Sequence, residues 1–273
     1  MSTYLSVQGI SKTFESKSGQ VQALAPVSFE LRRNEFVSIV GPSGCGKSTL
    51  FNVIAGLESA TTGSLQLEGQ SIHDLKGKVA YQLQRDLLLP WRTILENVTL
   101  ALEIRGVPTL ERNRRGLDAL NRYGLGQFAN RYPRELSGGM RQRAAIIRTL
   151  LFDRDLILLD EPFGALDSQT RMIMQAWLLS VYAASSKTVL LITHDVEEAV
   201  LLSNRVLVMT SRPGSIKGEV QIDLDWPRTE MTLLTEKFFA FKKQITTMIR
   251  DESQRSFDEQ LGSVSTAPVG GLS

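Results

Sequence analysis

A chain of 273 residues with 42% apolar side chains has the material for one large domain or two modest ones around a proper core. Thirty-one basic against twenty-nine acidic side chains leave a formal net charge of +2, far from the concentrated positive field that gripping a nucleic-acid backbone needs, so no nucleic-acid partner is expected. The single cysteine, Cys45, excludes an internal disulfide and suits a reducing compartment.

Residues 1–9 lack the basic start and apolar run of a secretory signal. No stretch approaches the roughly eighteen uninterrupted apolar residues of a spanning helix. A cytosolic chain is expected, its membrane role, if any, borrowed from another subunit. Short β-branched or alternating runs at 5–8, 27–31 and 36–40 predict strands. The third runs into a glycine-rich loop and then a helical pattern over 48–56. Residues 87–149 are mostly helical in pattern, with breakers at Gly106, Pro108, Gly124, Gly126 and Pro133. Arg112, Arg114, Arg115 and Arg122 make a basic neighbourhood there, interrupted by Glu111 and Asp118; it reads as a solvated helix face, with a membrane surface or partner as the alternative. Strands at 156–159 and 188–193 flank a helix at 168–184, and another strand follows at 206–209. No repeat is visible at periods of about 20 to 50 residues. The pattern predicts an α/β fold, a parallel sheet with helices on both faces and a helical insert. In 229–252, Leu234, Phe238, Phe241, Ile245 and Met248 recur at helical spacing and form an apolar stripe expected to pack back on the main domain. The composition of 254–273 reads as a mobile tail.

Residues 41–49, "GPSGCGKST", satisfy G-x-x-x-x-G-K-[ST] between a predicted strand and helix. Gly41, Gly44 and Gly46 let the backbone curl around phosphate, with Pro42, Ser43 and Thr49 completing the loop and the helix start adding its positive end. Lys47 offers a mobile cation to the β- and γ-phosphates, and the Ser48 hydroxyl is placed to hold Mg²⁺. Cys45 reads as small filler rather than a nucleophile. In "LILLDEP" a buried strand delivers Asp160 as the carboxylate that coordinates Mg²⁺ through water, and Glu161 as a general base.

"LSGGMRQR" before "LILLDEP" resembles the signature of the ABC ATPases. Ser137, Gly138 and Gly139 start a helix and so offer a second anion site. The resemblance covers roughly residues 5–218 and implies a P-loop NTPase core with a mixed or parallel sheet, an N-terminal antiparallel β subdomain and a helical insert at about 87–149. It divides the chain into an ATPase domain at 1–219, an extension with an amphipathic helix at 220–253, and the tail. The same resemblance implies that ATP is sandwiched between the P-loop of one copy and Ser137–Gly139 of a second in a head-to-tail dimer. It implies Gln84 as the glutamine that touches Mg²⁺ and the attacking water, Asp167 as the residue that communicates across the dimer, and His194 as the switch histidine. Phe14 is the candidate for stacking on adenine, with a core role as the alternative. Asn34 stands where the family generally has glycine, and asparagine tolerates the left-handed turn. "LLLPWRTILENV" and "SRPGSI" look like the branch serving nitrate, sulfonate, taurine and bicarbonate importers. That implies integral-membrane permease subunits, indirectly a substrate-binding protein, and a peripheral place on the cytoplasmic face of the inner membrane. Leu87, Leu88, Leu89 and Trp91 read either as part of the permease groove or as packing of the insert. A soluble ABC ATPase acting on nucleic acid or the ribosome is the alternative, although no coiled coil, zinc module or second cassette is visible.

Overall fold

The computed structural model describes the backbone of residues 3–16 and 19–264 and the side chains of those up to 252. Two long strands open the chain, β1 (Thr3–Ser16) and β2 (Gly19–Arg32), followed by β3 (Phe36–Val40) and α1 (Lys47–Ala55). Next come β4 (Thr62–Leu67), β5 (Gln70–Ile72) and β6 (Val79–Gln82). The helical insert holds α2 (Ile94–Val98), α3 (Leu100–Ile104), α4 (Thr109–Arg122) and α5 (Gly138–Leu151). The remainder alternates: β7 (Leu156–Asp160), α6 (Ser168–Ala183), β8 (Thr188–Ile192), α7 (Val196–Leu202), β9 (Arg205–Met209) and β10 (Ile216–Gln221), with α8 (Glu236–Val264) last.

The strands form two sheets, an antiparallel one in the order β2-β1-β4-β5 and a mixed one in the order β10-β9-β3-β8-β7-β6. All pairings among β3, β6, β7, β8 and β9 are parallel, and β10 closes the edge antiparallel to β9. The runs "FVSIV", "LILLD", "TVLLI" and "RVLVM" are buried along their whole length. Strands covered on both faces are apolar throughout for that reason. Alternation then sorts their side chains: Val37 and Ile39 join the core shared with the antiparallel sheet and α1, while Phe36 and Val40 join the core under α6, α7 and α8. A third core, with Ile94, Val98, Leu120 and Ile147, belongs to the insert. The expected α/β architecture is present.

Where the chain departs from the sequence reading, exposure explains it. In β4 only Leu65 is buried, so no apolar pattern marks the strand. The last helix starts at Glu236, not residue 229, because Glu230–Leu234 forms a 3-10 turn that leaves Leu234 69% exposed. Phe238 and Ile245 are buried, with Phe241 and Met248 packed beside them. The helix continues through 254–264, where composition alone reads as a tail, and 265–273 lie outside the described residues. The basic neighbourhood is partly spent within the insert: Arg114 pairs with Glu111 at 2.9 Å and Asp118 at 3.3 Å, and Arg112 approaches Glu103 at 3.7 Å. Asn34 adopts φ 58°, the left-handed conformation expected of it.

Candidate functional site

β3 ends at Val40, and the loop 41–46 turns the chain into α1. Gly46 has φ 103°, and a Cβ there would lie 2.7 Å from Leu24 Cδ2 and 2.8 Å from the Ala23 carbonyl. Glycine is therefore required both for the conformation and for the closeness of β2. No side chain caps α1, and its first turn carries no acid, as suits a helix start that receives an anion. Lys47, 6% exposed, donates from Nζ to the carbonyls of Gly41 at 2.8 Å and Pro42 at 2.9 Å. Ser43 and Gly44 are exposed at the lip, Pro42 and Thr49 partly so. Cys45 is buried, and that burial pushes its thiol up, away from the reactive thiolate.

Parallel pairing of β7 with β8 carries Asp160 to the carboxyl end of the mixed sheet. Its Oδ1 accepts from Ser48 Oγ at 3.3 Å and its Oδ2 from the Tyr81 hydroxyl at 3.3 Å. Burial holds the Asp160 carboxyl above its ordinary range, while the Ser48 bond opposes this. A desolvated carboxylate beside a hydroxyl is a hard-oxygen pair suited to Mg²⁺. Among the described residues no group of three or more His, Cys, Asp or Glu could cage a metal.

Glu161 follows at φ 44°, in the left-handed region where a non-glycine residue is strained. Its Oε2 accepts from Gln84 Nε2 at 3.1 Å and meets His194 Nδ1 at 3.2 Å. A bond from Nδ1 to a carboxylate places the proton on Nδ1 and leaves Nε2 free. Gly164 backs both groups: a Cβ there would stand 3.5 Å from Glu161 Oε2 and 3.7 Å from His194 Cε1. The three side chains line a cleft of about 720 Å³ with Gly138, and no residue of the 41–49 loop lines it. Gln84 thus meets Glu161, while Ser48 and Asp160 form a separate pair.

Ser137 caps α5 by accepting from the Met140 N–H at 3.3 Å, and both Ser137 and Gly138 are exposed. Gly139 sits where a Cβ would come within 2.5 Å of Thr170 Cγ2, so a larger residue would push Thr170 aside where α5 starts against α6. Asp167 caps α6 through the Thr170 N–H at 3.0 Å, a bond that holds its carboxyl below the usual range. Phe14 lies half-buried on β1 opposite Val21, its ring centroid 4.8 Å from Lys12 Nζ.

Several supporting residues escape the motifs. The Tyr81 hydroxyl lies between Asp160 and Asn52 Oδ1, the latter at 3.2 Å. Arg148 donates to the carbonyls of Asp86 at 2.6 Å and Leu87 at 2.8 Å, and Arg141 Nε to Asp86 Oδ2 at 3.2 Å, so α5 holds the segment after Gln84. Three arginines in the insert's last helix, Arg141, Arg143 and Arg148, were a signal for such a role, but their spacing does not tell which carbonyl each meets. "SRPGSI" also gains a place: Gly214 exchanges hydrogen bonds with Ala23 and Ala25, and a Cβ on it would collide with the Cys45 carbonyl, so the motif backs the phosphate loop.

A cradle, an Asp–Glu pair on adjoining positions, a histidine and a detached serine-glycine turn define a nucleotide hydrolase of the cassette type. The ABC transporter family model matches residues 24–164. A taurine import ATP-binding protein of Rhizobium johnstonii is 44% identical over 82% of this chain and 85% of its own length. A formylaminopyrimidine import ATP-binding protein of Halalkalibacterium halodurans is 44% identical over 89% of this chain and 98% of its own. The solved dimeric structure of a post-hydrolysis ATP-binding cassette bound to ADP and Pi is 32% identical, covering 81% of this chain and all of that one, with a TM-score of 0.71. The chain belongs to the ABC transporter family and is one of its ATP-binding, ATP-hydrolysing subunits.

Proposed function

We propose that this chain powers import of a small anionic solute, of the nitrate, sulfonate or taurine kind, as one of two identical ATPase subunits beneath a membrane permease. The observation that carries the catalytic reading is the convergence of Gln84 and His194 on one oxygen of Glu161. Glu161 is the general base, Gln84 and His194 hold it and the attacking water, and Lys47 with the 41–49 loop holds the phosphates. Ser48, Asp160 and Gln84 would hold Mg²⁺, which when bound neutralises charge on the β- and γ-phosphates. Phe14 stacks on adenine. The Ser137–Gly139 turn, exposed at Ser137 and Gly138, and the exposed Asp167 face the nucleotide of the other copy in a head-to-tail pair, as a symmetric closed dimer permits. Support comes from the dimeric state named for the solved cassette. Relatives named for taurine and for formylaminopyrimidine, at the same 44% identity, indicate that this subunit does not select the solute. Selection then falls to the permease and an external substrate-binding protein.

No helix among the described residues is long and apolar enough to cross a membrane. The apolar surface offered to the permease includes Leu87 and Trp91, 50% and 71% exposed, and a groove of about 280 Å³ is lined by Leu57, Ala101 and Phe152. Leu88 is not part of it, being 8% exposed within the insert's core, and Leu89 is only partly exposed. The subunit is peripheral, on the cytoplasmic face of the inner membrane. Glu161→Gln tests the chemistry. ATP binding should persist, nucleotide should trap a dimer on size exclusion, and turnover should fall about a hundredfold or more. A near-native rate would remove Glu161 as the base.

A further inference from the structure

Behind the catalytic face, Arg171 in the first turn of α6 joins two loops that lie apart in sequence. Its Nη1 donates to Asp195 Oδ2 at 3.2 Å and its Nη2 to the Leu166 carbonyl at 3.1 Å. Leu166 belongs to the turn that Asp167 ends, and Asp195 directly follows His194. Asp195 is fixed from other sides as well: its Oδ1 caps α7 through the N–H groups of Glu197 at 2.9 Å and Glu198 at 3.3 Å, and its own N–H donates to Thr193 Oγ1 at 3.0 Å. His194 is therefore strung between two anchored residues. On the opposite side, Thr170, the neighbour of Arg171, touches the start of α5 at Gly139. Glu198 is the other carboxyl of this cluster. Burial, then the charge of Asp195, pushes it up to about 8, and the Arg171 guanidinium meets Asp195.

We propose that Arg171 is a positioning residue that couples the Leu166–Asp167 turn to His194, so that seating this turn against a second copy holds the imidazole in its place on Glu161. The coupling rests on the reading of Asp167 and His194 given above. It requires arginine, because a planar fork reaches a carbonyl and a carboxylate together, whereas lysine brings one point charge.

Steady-state ATP hydrolysis and nucleotide-driven dimerisation of Arg171→Lys and Arg171→Gln, beside His194→Ala, test it. In both arginine variants kcat should fall roughly tenfold to a hundredfold, as misplacement of a catalytic group does, with the KM for ATP and the melting midpoint close to native. Glu161→Gln carrying Arg171→Gln should still dimerise with ATP, because the cradle is untouched. Native kcat in both variants overturns the inference, and so does a loss of kcat that only tracks loss of folded protein or of ATP affinity. An inactive His194→Ala beside active arginine variants removes the coupling alone. A fully active His194→Ala removes the switch reading, and the coupling with it.

Discussion

Glu198 shows how a single buried group sets a response of the chain to pH. It is 4% exposed, and desolvation, reinforced by Asp195, raises its carboxyl from 4.5 to about 8. Between those values the folded chain keeps a proton that the unfolded chain has released, so stability falls as pH rises through that window. Glu198→Gln keeps the shape and removes the titration. Urea midpoints of the two proteins should therefore converge near the lower end of the window and separate toward its upper end, the variant being the more stable; parallel profiles would show that Glu198 does not titrate there. The residues of the candidate site were legible at this scale where they are contiguous, as in "GPSGCGKST" and "LILLDEP", because adjoining positions on a strand end or loop must share a place. Arg171, Arg148 and Tyr81 were not, since their partners lie 24, 61 and 79 residues away and depend on how elements pack.

Among the elements, α5 carries the clearest division between a structural role and the binding role proposed for it. Ser137 satisfies one N–H of its first turn, and no acid stands in that turn. Aspartate caps a helix as well as serine and favours its positive end. Ser137→Asp should thus keep the urea midpoint, while its charge repels a phosphate and abolishes ATP-driven dimerisation in the Glu161→Gln background. Ser137→Ala, by contrast, should lose about 1 kcal/mol of stability with the cap. An Asp variant that still dimerises with ATP would place the phosphate elsewhere. The same physics explains which elements the sequence announces. Strands buried on both faces, such as β3 and β7, are short, nearly continuous apolar runs whose length and bounding turn residues mark them. β10 has one fully buried residue, Val220, and β5 none, so their pairing partners rather than their side chains make them strands.

Across the whole molecule, the segment after β10 is fastened to the helix that follows His194. Arg228, 4% exposed, donates from Nη1 to the carbonyls of Val200, Leu201 and Ser203 at 3.1, 3.1 and 2.6 Å, and from Nη2 to those of Ile222 and Leu224 at 3.2 and 3.3 Å. Burial lowers its guanidinium to about 10, which still leaves it charged at neutral pH, where it complements the negative end of α7. Lys242 of α8 pairs with Glu197 at the other end of α7, and Lys217 reaches Glu252 at 2.8 Å. Helix α7 is thereby held at both ends by the C-terminal segment. Removing the fork leaves buried carbonyls without donors, which costs more than the bonds themselves are worth. Arg228→Ala should lower the unfolding free energy by about 3 kcal/mol in urea titration, and Arg228→Lys should recover only part of it, since one ammonium cannot serve acceptors on both sides of the chain. If the alanine variant unfolds at the native midpoint, the C-terminal segment rests on α7 without supporting it.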